Sequence, residues 1–257
     1  MRILPIALLG VAVCSASCYQ LEASAQVGYT QMQLNGDIGL SATGGGSVQS
    51  QDINDVFGVG DATGSPYARG QVDFGAPVLT ASAFMFSNSG AGTLTNSFGG
   101  IPAGTAVSSQ LDFTNVKTSL AFDIPLGPIK LAPGVAIDLF DFDLNTSATG
   151  IAASEDVSVI APVPMLFLRG EADLGLVGVT AEVGYLDAPR ISDVKGTFWD
   201  AELLVEVRPI SMLHLFAGYR FIHMNADGVI DKGTANEQDF LTDLDVSGWV
   251  IGGGIRF

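Results

Sequence analysis

Beyond residue 25 the chain alternates apolar residues with polar or small ones at a period of two, the spacing of a strand whose two faces meet different surroundings. In residues 177–185, Val177, Val179, Ala181, Val183 and Tyr185 form one row, and Thr180, Glu182 and Gly184 fill the other. Ala201, Leu203, Val205 and Val207 oppose Asp200, Glu202, Glu206 and Arg208 in the same way. Leu213, Leu215, Ala217, Tyr219 and Phe221 oppose His214, Gly218 and Arg220, and Ala68, Gly70, Val72 and Phe74 oppose Arg69, Gln71 and Asp73. In residues 166–174, Leu166, Leu168, Gly170, Ala172 and Leu174 alternate with Arg169, Glu171 and Asp173. A base held against lipid at mid-strand costs roughly 2–4 kcal/mol, so these charges face a protein interior.

The pattern predicts about ten strands, within a range of about eight to twelve, over residues 26–40, 67–74, 78–86, 110–124, 130–144, 159–174, 177–185, 194–208, 212–223 and 241–257. Their connections alternate in length. Tight turns at Gly75-Ala76-Pro77, Pro125-Leu126-Gly127-Pro128, Gly175-Leu176 and Arg208-Pro209-Ile210-Ser211 interleave with longer loops after residues 40, 86, 144, 185 and 223. Short turns at one rim and long loops at the other mark an antiparallel up-and-down transmembrane β-barrel, whereas a soluble sandwich has no reason to sort its loops. An even strand count puts both chain ends at the short-turn rim. The apolar set changes parity at Gln31-Met32, Asn115-Val116 and Leu139-Phe140, which reads either as bulges or as the point where a strand leaves the bilayer. Tyr29, Tyr67, Phe140, Phe142, Phe198, Trp199 and Trp249 lie toward strand ends and are candidates for interfacial girdles.

Composition narrows the class. Mean hydropathy is +0.39, yet after Val13 no apolar run approaches the roughly 20 residues a membrane helix needs. Only helices and closed barrels satisfy their backbone in lipid, so a barrel is the remaining solution. A net charge of −16 excludes the basic footprint that nucleic acid requires. Met1 and Arg2, an apolar stretch over residues 3–13 and the small-residue pattern Ala23-Ser24-Ala25 predict an export signal over residues 1–25, with the barrel occupying 26–257. Ser15-Ala16-Ser17-Cys18 is an alternative, lipoprotein-type cut, with serine where that signal usually has leucine. Cys14 and Cys18 both fall in this leader, so no disulfide is expected in the mature protein.

Residues 248–257 end in Phe257 preceded by Ile255, Ile251 and Trp249 at alternate positions, with Gly253 as a departure. This segment resembles the C-terminal assembly signal of bacterial outer-membrane barrels. The resemblance implies an outer-membrane location among its lipids and recognition by the barrel-assembly machinery. It carries over no functional residue of a particular barrel family. Gly248, Gly252 and Gly254 on the opposite row relieve crowding where the strand bends to close the barrel.

Ten-stranded barrels include the omptin proteases, and Asp141, Asp143 and His223 have the residue types of such a rim hydrolase, but Phe221 stands where a paired Asp would precede the histidine. His223 also lacks the serine of a lipid A deacylase, and His214, beside a short turn, reads as a lumen hydrogen-bond partner. Asn225, Asp227 and Asp231 form part of a calcium-loop pattern without its terminal Glu; with Glu237, Asp239, Asp243 and Asp245 they make divalent cations candidate partners at the outer rim. Residues 58–64 fail dinucleotide spacing.

The inward row gathers Arg69, Lys117, Arg169, Arg220 and Arg256 against Asp73, Asp123, Asp138, Glu171, Asp173, Glu182, Asp200, Glu202 and Glu206. Two readings stay open: an ion-pair network filling a small barrel, or a narrow, acid-lined, cation-preferring channel. The expected protein is therefore a structural or narrow-channel barrel, with no enzymatic activity, cofactor or metal. A rim hydrolase and a soluble secreted binding barrel are the alternatives, the latter opposed by the outward apolar rows.

Overall fold

The computed structural model describes residues 21–257 except 192, 193, 211 and 231, so the apolar N-terminal stretch expected as an export signal, with Cys14 and Cys18, lies outside the described residues. The chain forms β1 (Glu22–Leu40), β2 (Gln51–Asp52), β3 (Thr63–Asp73), β4 (Pro77–Thr93), β5 (Ala106–Phe122), β6 (Ile124–Leu126), β7 (Ile129–Ala148), β8 (Ser154–Asp173), β9 (Val177–Ile191), β10 (Val194–Ile210), β11 (Leu213–Ile230) and β12 (Gln238–Arg256). All pairings are antiparallel. The short β2 and β6 attach to β1 and β7 on one side only, so the other ten strands make the ring, closed by β12 on β1. Each expected strand is present.

Ring closure brings the start of β1 and the end of β12 together at the short-turn rim. Ser24 pairs with Arg256, and Ala23 and Phe257 exchange backbone bonds of 2.7 and 2.9 Å. Residues 22–25, placed in the export signal by sequence, are thus part of the closing strand. Phe257, Ile255, Ile251 and Trp249 all point outward and are exposed. Gly252 and Gly254 stand on the inward row because neighbours fill their space: a Cβ on Gly252 would lie 2.7 Å from the Phe216 ring, and one on Gly254 would lie 2.5 Å from His214 Nε2.

Most strands run further toward the long-loop rim than the period-2 pattern suggests: β4 to Thr93, β7 to Ala148 and β11 to Ile230. The parity changes explain why. At Gln31-Met32, Asn115-Val116 and Leu139-Phe140 the ladders continue without a register shift, which rules out bulges. Each side chain keeps its face; the surroundings change instead. On β7, Val135, Ile137 and Leu139 face outward into the apolar belt, and the next outward residues are Asp141 and Asp143. Inward, Asp138 gives way to Phe140, Phe142 and Leu144. The wall therefore leaves the bilayer there, outside turning polar as inside turns apolar.

This inversion corrects four girdle assignments. Tyr29, Trp199 and Trp249 are exposed on the outer face, whereas Tyr67, Phe140, Phe142 and Phe198 are buried on the inward face. Tyr185 and Tyr219 pack on Trp199 and Trp249 at 4.6 and 5.0 Å between ring centroids.

Replacing Gly252 by Val forces a Cβ to within 2.3 Å of Val27 carbonyl oxygen as well as onto Phe216. Overpacking of this kind costs about 1–3 kcal/mol. Gly252→Val is expected to deplete the compact, heat-modifiable form on unheated gels, while Gly253→Ala, whose nearest contacts lie at 3.4 Å, leaves it unchanged.

Candidate functional site

The lumen is built in two layers of opposite character. The short-turn half holds the charges. Register places Arg169 opposite Glu182, Glu182 opposite Glu202, and Glu202 opposite Arg220 along the wall of β8, β9, β10 and β11. Two carboxylates directly opposite each other repel. Arg69, from across the barrel on β3, resolves this by binding both, with Nη1 on Glu202 Oε2 at 2.7 Å and Nη2 on Glu182. Tyr67 donates its hydroxyl to Glu202 Oε1 at 2.8 Å. Lys117 Nζ stands 3.3 Å from Glu182 and 3.4 Å from Asp200.

Arg220 is fully enclosed, 0% exposed, and donates to Asp200 Oδ2 at 2.6 Å, Asn115 Oδ1 at 2.7 Å and Ser82 Oγ at 3.3 Å. Asn115 in turn donates to Asp138 at 2.8 Å. Nearer the short turns Arg169 binds Glu171 and lies 3.6 Å from Asp123, which Lys130 also approaches at 3.2 Å. His214 stands 3.0 Å from Gln26, which donates to Glu206.

Most of the charged row proposed from sequence thus meets in one network. Its rim members lie apart from the centre: Asp173 pairs with Arg208, Arg256 lies 3.7 Å from Glu22, and Asp73 connects to the network through Lys130. Tyr67, Ser82, Asn115 and Lys130 belong to the network without having been assigned to it from sequence. Tyr67 sits two residues before Arg69, so inward parity was the signal available for it.

Above the charges lies an aromatic floor. Phe84, Phe113, Phe140 and Phe198 form a chain across the lumen with centroid spacings of 5.9, 5.7 and 4.9 Å. The Arg220 guanidinium lies 5.1 Å from the Phe84 centroid, joining floor to charges by a cation–π contact. Over the floor opens a cavity of about 620 Å³, lined by apolar side chains that include Ile38, Phe142, Val163, Leu186, Met224 and Leu244. No sequence motif marked it; its residues belong to the inverted outer segments of the strands.

The residues considered for a rim hydrolase are not brought together. Asp141 and Asp143 point outward on β7 and His223 lies on β11, with β8, β9 and β10 between. His223 Nδ1 does meet Asp245 at 2.8 Å on the neighbouring strand, with Asp243 at 3.8 Å. Of the acids proposed for divalent cations, Glu237 accepts from the Gly233 amide and Asp239 from the Gly46 amide, and Asp231 lies outside the described residues. Among the described residues no group of three or more metal-ligating side chains is gathered at one point.

No family model matches the chain, and no curated protein matches it. Solved structures do. The outer membrane protease OmpT from Escherichia coli superposes with a TM-score of 0.56 at 7% identity, over 92% of this chain and 96% of that one. The outer membrane protein OprG from Pseudomonas aeruginosa gives 0.43 at 11% identity, over 93% and 97%. Ail of Yersinia pestis gives 0.39 at 12%, over 92% and 98%. The fold is that of bacterial outer-membrane β-barrels, and its exposed outward apolar belt is that of a wall that faces lipid.

Proposed function

We propose that the protein is a non-conducting, non-catalytic outer-membrane barrel whose outer half is a cup for an apolar small molecule and whose inner half is a seal. The observation that carries this reading is the inverted lumen: an apolar cavity of about 620 Å³ stands on an aromatic floor, directly above a buried ion-pair layer. That volume lies within the roughly 300–1,000 Å³ of small-molecule sites, and the near absence of charge in its lining selects for hydrocarbon over sugar or ion.

The seal favours the network reading over a cation channel. Acids that would line a channel are held instead by Arg69, Lys117 and Arg220, which are themselves buried. A permeating cation would have to break these pairs inside a lumen too narrow to hydrate their members. Separation of Asp141 and Asp143 from His223 around the ring supports the non-catalytic reading.

In planar bilayers the folded protein is expected to give no stepwise conductance; steady cation-selective steps would refute the seal. Arg220→Met removes the guanidinium that binds Asp200 and Asp138, leaving Lys117 as the buried base beside Asp200, and breaking such a pair costs about 3–5 kcal/mol. The temperature at which the heat-modifiable form disappears is expected to fall accordingly.

The cup is tested by titrating the folded protein with the fluorophore N-phenyl-1-naphthylamine. Saturable enhancement is expected, with affinity reduced about tenfold or more by Met224→Asp, in keeping with the roughly 1.5–3 kcal/mol of one buried apolar side chain. Enhancement untouched by the substitution would place the probe elsewhere.

A further inference from the structure

Two stretches of the ring lack their ladder. β3 pairs with β4 only from Tyr67↔Phe84 to Asp73↔Val78, and β8 pairs with β9 only from Leu166↔Tyr185 to Asp173↔Gly178, although all four strands belong to longer elements. Proline marks both places. Pro66 adjoins the last paired residue of β3, and Pro164 and Pro162 follow Leu166 toward the outer end of β8. A proline offers no N–H to a ladder. Two prolines at alternate positions remove successive donors from the same edge. Because β8 pairs with β7 without interruption from Ile129↔Ala172 to Ser147↔Ser154, the edge they disarm faces β9.

The two gaps are treated differently. Beside β4 the segment of residues 53–60 fills the space: Ile53, Val56, Phe57 and Val59 are buried, and the backbones of Gly58 and Val56 press so closely on Gly90 and Gly92 that a Cβ there would lie 1.9 and 2.0 Å from their carbonyl oxygens. Between β8 and β9 no such segment is present among the described residues. Val159, on the inward row of β8, is 41% exposed, and Leu186 and Ala188 on β9 are half-exposed. In the register set by Leu166 and Tyr185, Val163 would face Ala188. Both instead line the cup, with Ala161 and Ile160 beside them.

The height of the gap is set by β7. Val135, Ile137 and Leu139, all in the apolar belt, pair with Leu166, Pro164 and Pro162; Asp141, the first residue beyond the belt, pairs with Ile160. The gap therefore begins inside the belt and runs outward through its boundary. Its lips are apolar toward lipid: Leu166 is 74% and Ile160 68% exposed, and the other lip carries the Tyr185–Trp199 pair.

We infer that this gap is a side window through which an acyl chain of an outer-leaflet lipid enters the cup. The inference rests on the reading of the cup as an apolar site. A strand-adding peptide is a poor occupant, because Pro162 and Pro164 cannot supply the ladder donors on which such docking depends. A hydrocarbon chain needs no donors, and the bilayer presents it at this height.

The test uses the full barrel reconstituted in phosphatidylcholine vesicles whose acyl chains carry a diazirine, with adducts mapped by mass spectrometry after irradiation. Adducts are expected on the inward residues Val163, Leu186 and Met224 as well as on the outward belt. Adducts confined to outward residues such as Leu166 and Leu203 would overturn the window. Fluorophore binding from the aqueous side then separates the two ideas: retained binding leaves the cup standing without its window, and lost binding removes both. A second arm joins the lips in the double variant Val163→Cys, Ala188→Cys. Oxidation, verified by loss of free thiols, is expected to abolish the inward adducts and reduction to restore them. Inward adducts that survive complete oxidation would mean that chains enter over the rim, which overturns the side entry.

Discussion

Closure of β12 on β1 is the interaction on which everything else depends. Lipid supplies no partner for a backbone N–H or C=O, so a spanning sheet must have no free edge within the hydrocarbon. From Ser24↔Arg256 to Leu40↔Phe240 the closing ladder runs nearly the full length of both strands. Closing ten strands fixes a narrow lumen, and a narrow lumen forces inward side chains of opposite walls against each other. Arg69 reaches Glu182 and Glu202 because the ring brings β3 opposite β9 and β10, not because any local segment does so.

Such a buried network is an ambiguous contributor to stability. Each ion loses its hydration, and the attraction regained roughly offsets that loss only when nearly every lone pair and proton is used. Its firmer consequence is geometric. Arg220, held by Asp200, Asn115 and Ser82 while lying over Phe84, ties four walls and two layers to one another. The floor of the cup is positioned by the charges beneath it.

Much of this was legible in the sequence, and the misreadings share one cause. Alternation identifies which residues share a face, and Arg169, Glu171, Glu182, Glu202 and Arg220 share one buried face. It does not say which solvent bathes each face. Reading apolar as outward turned Phe140, Phe142, Phe198 and Tyr67 into girdle residues and left bulges as one account of the parity changes, when the faces kept their parity and the environments exchanged. Asp141 and Asp143, charged on the outward row immediately after Leu139, were the available sign of that exchange. Pairing across the lumen, such as Lys117 with Asp200, carries no local signature at all. The proline pair at 162 and 164 was visible throughout, and its meaning emerges only when the neighbouring strand is known.

Seal, cup and gap fit together energetically. Downward movement of an apolar molecule from the cup would have to displace the Phe140–Phe198 contact and then separate ion pairs with no water to receive them, several kcal/mol per ion. Upward movement leads into water, where each exposed methylene costs about 0.8 kcal/mol. Sideways, between β8 and β9, the molecule would exchange one apolar environment for another and pass strand edges whose donors proline has removed. A barrel that closes its edges everywhere else in the belt, and fills its other gap with residues 53–60, leaves unpaired, among the described residues, the wall segment where its apolar cavity meets the membrane boundary.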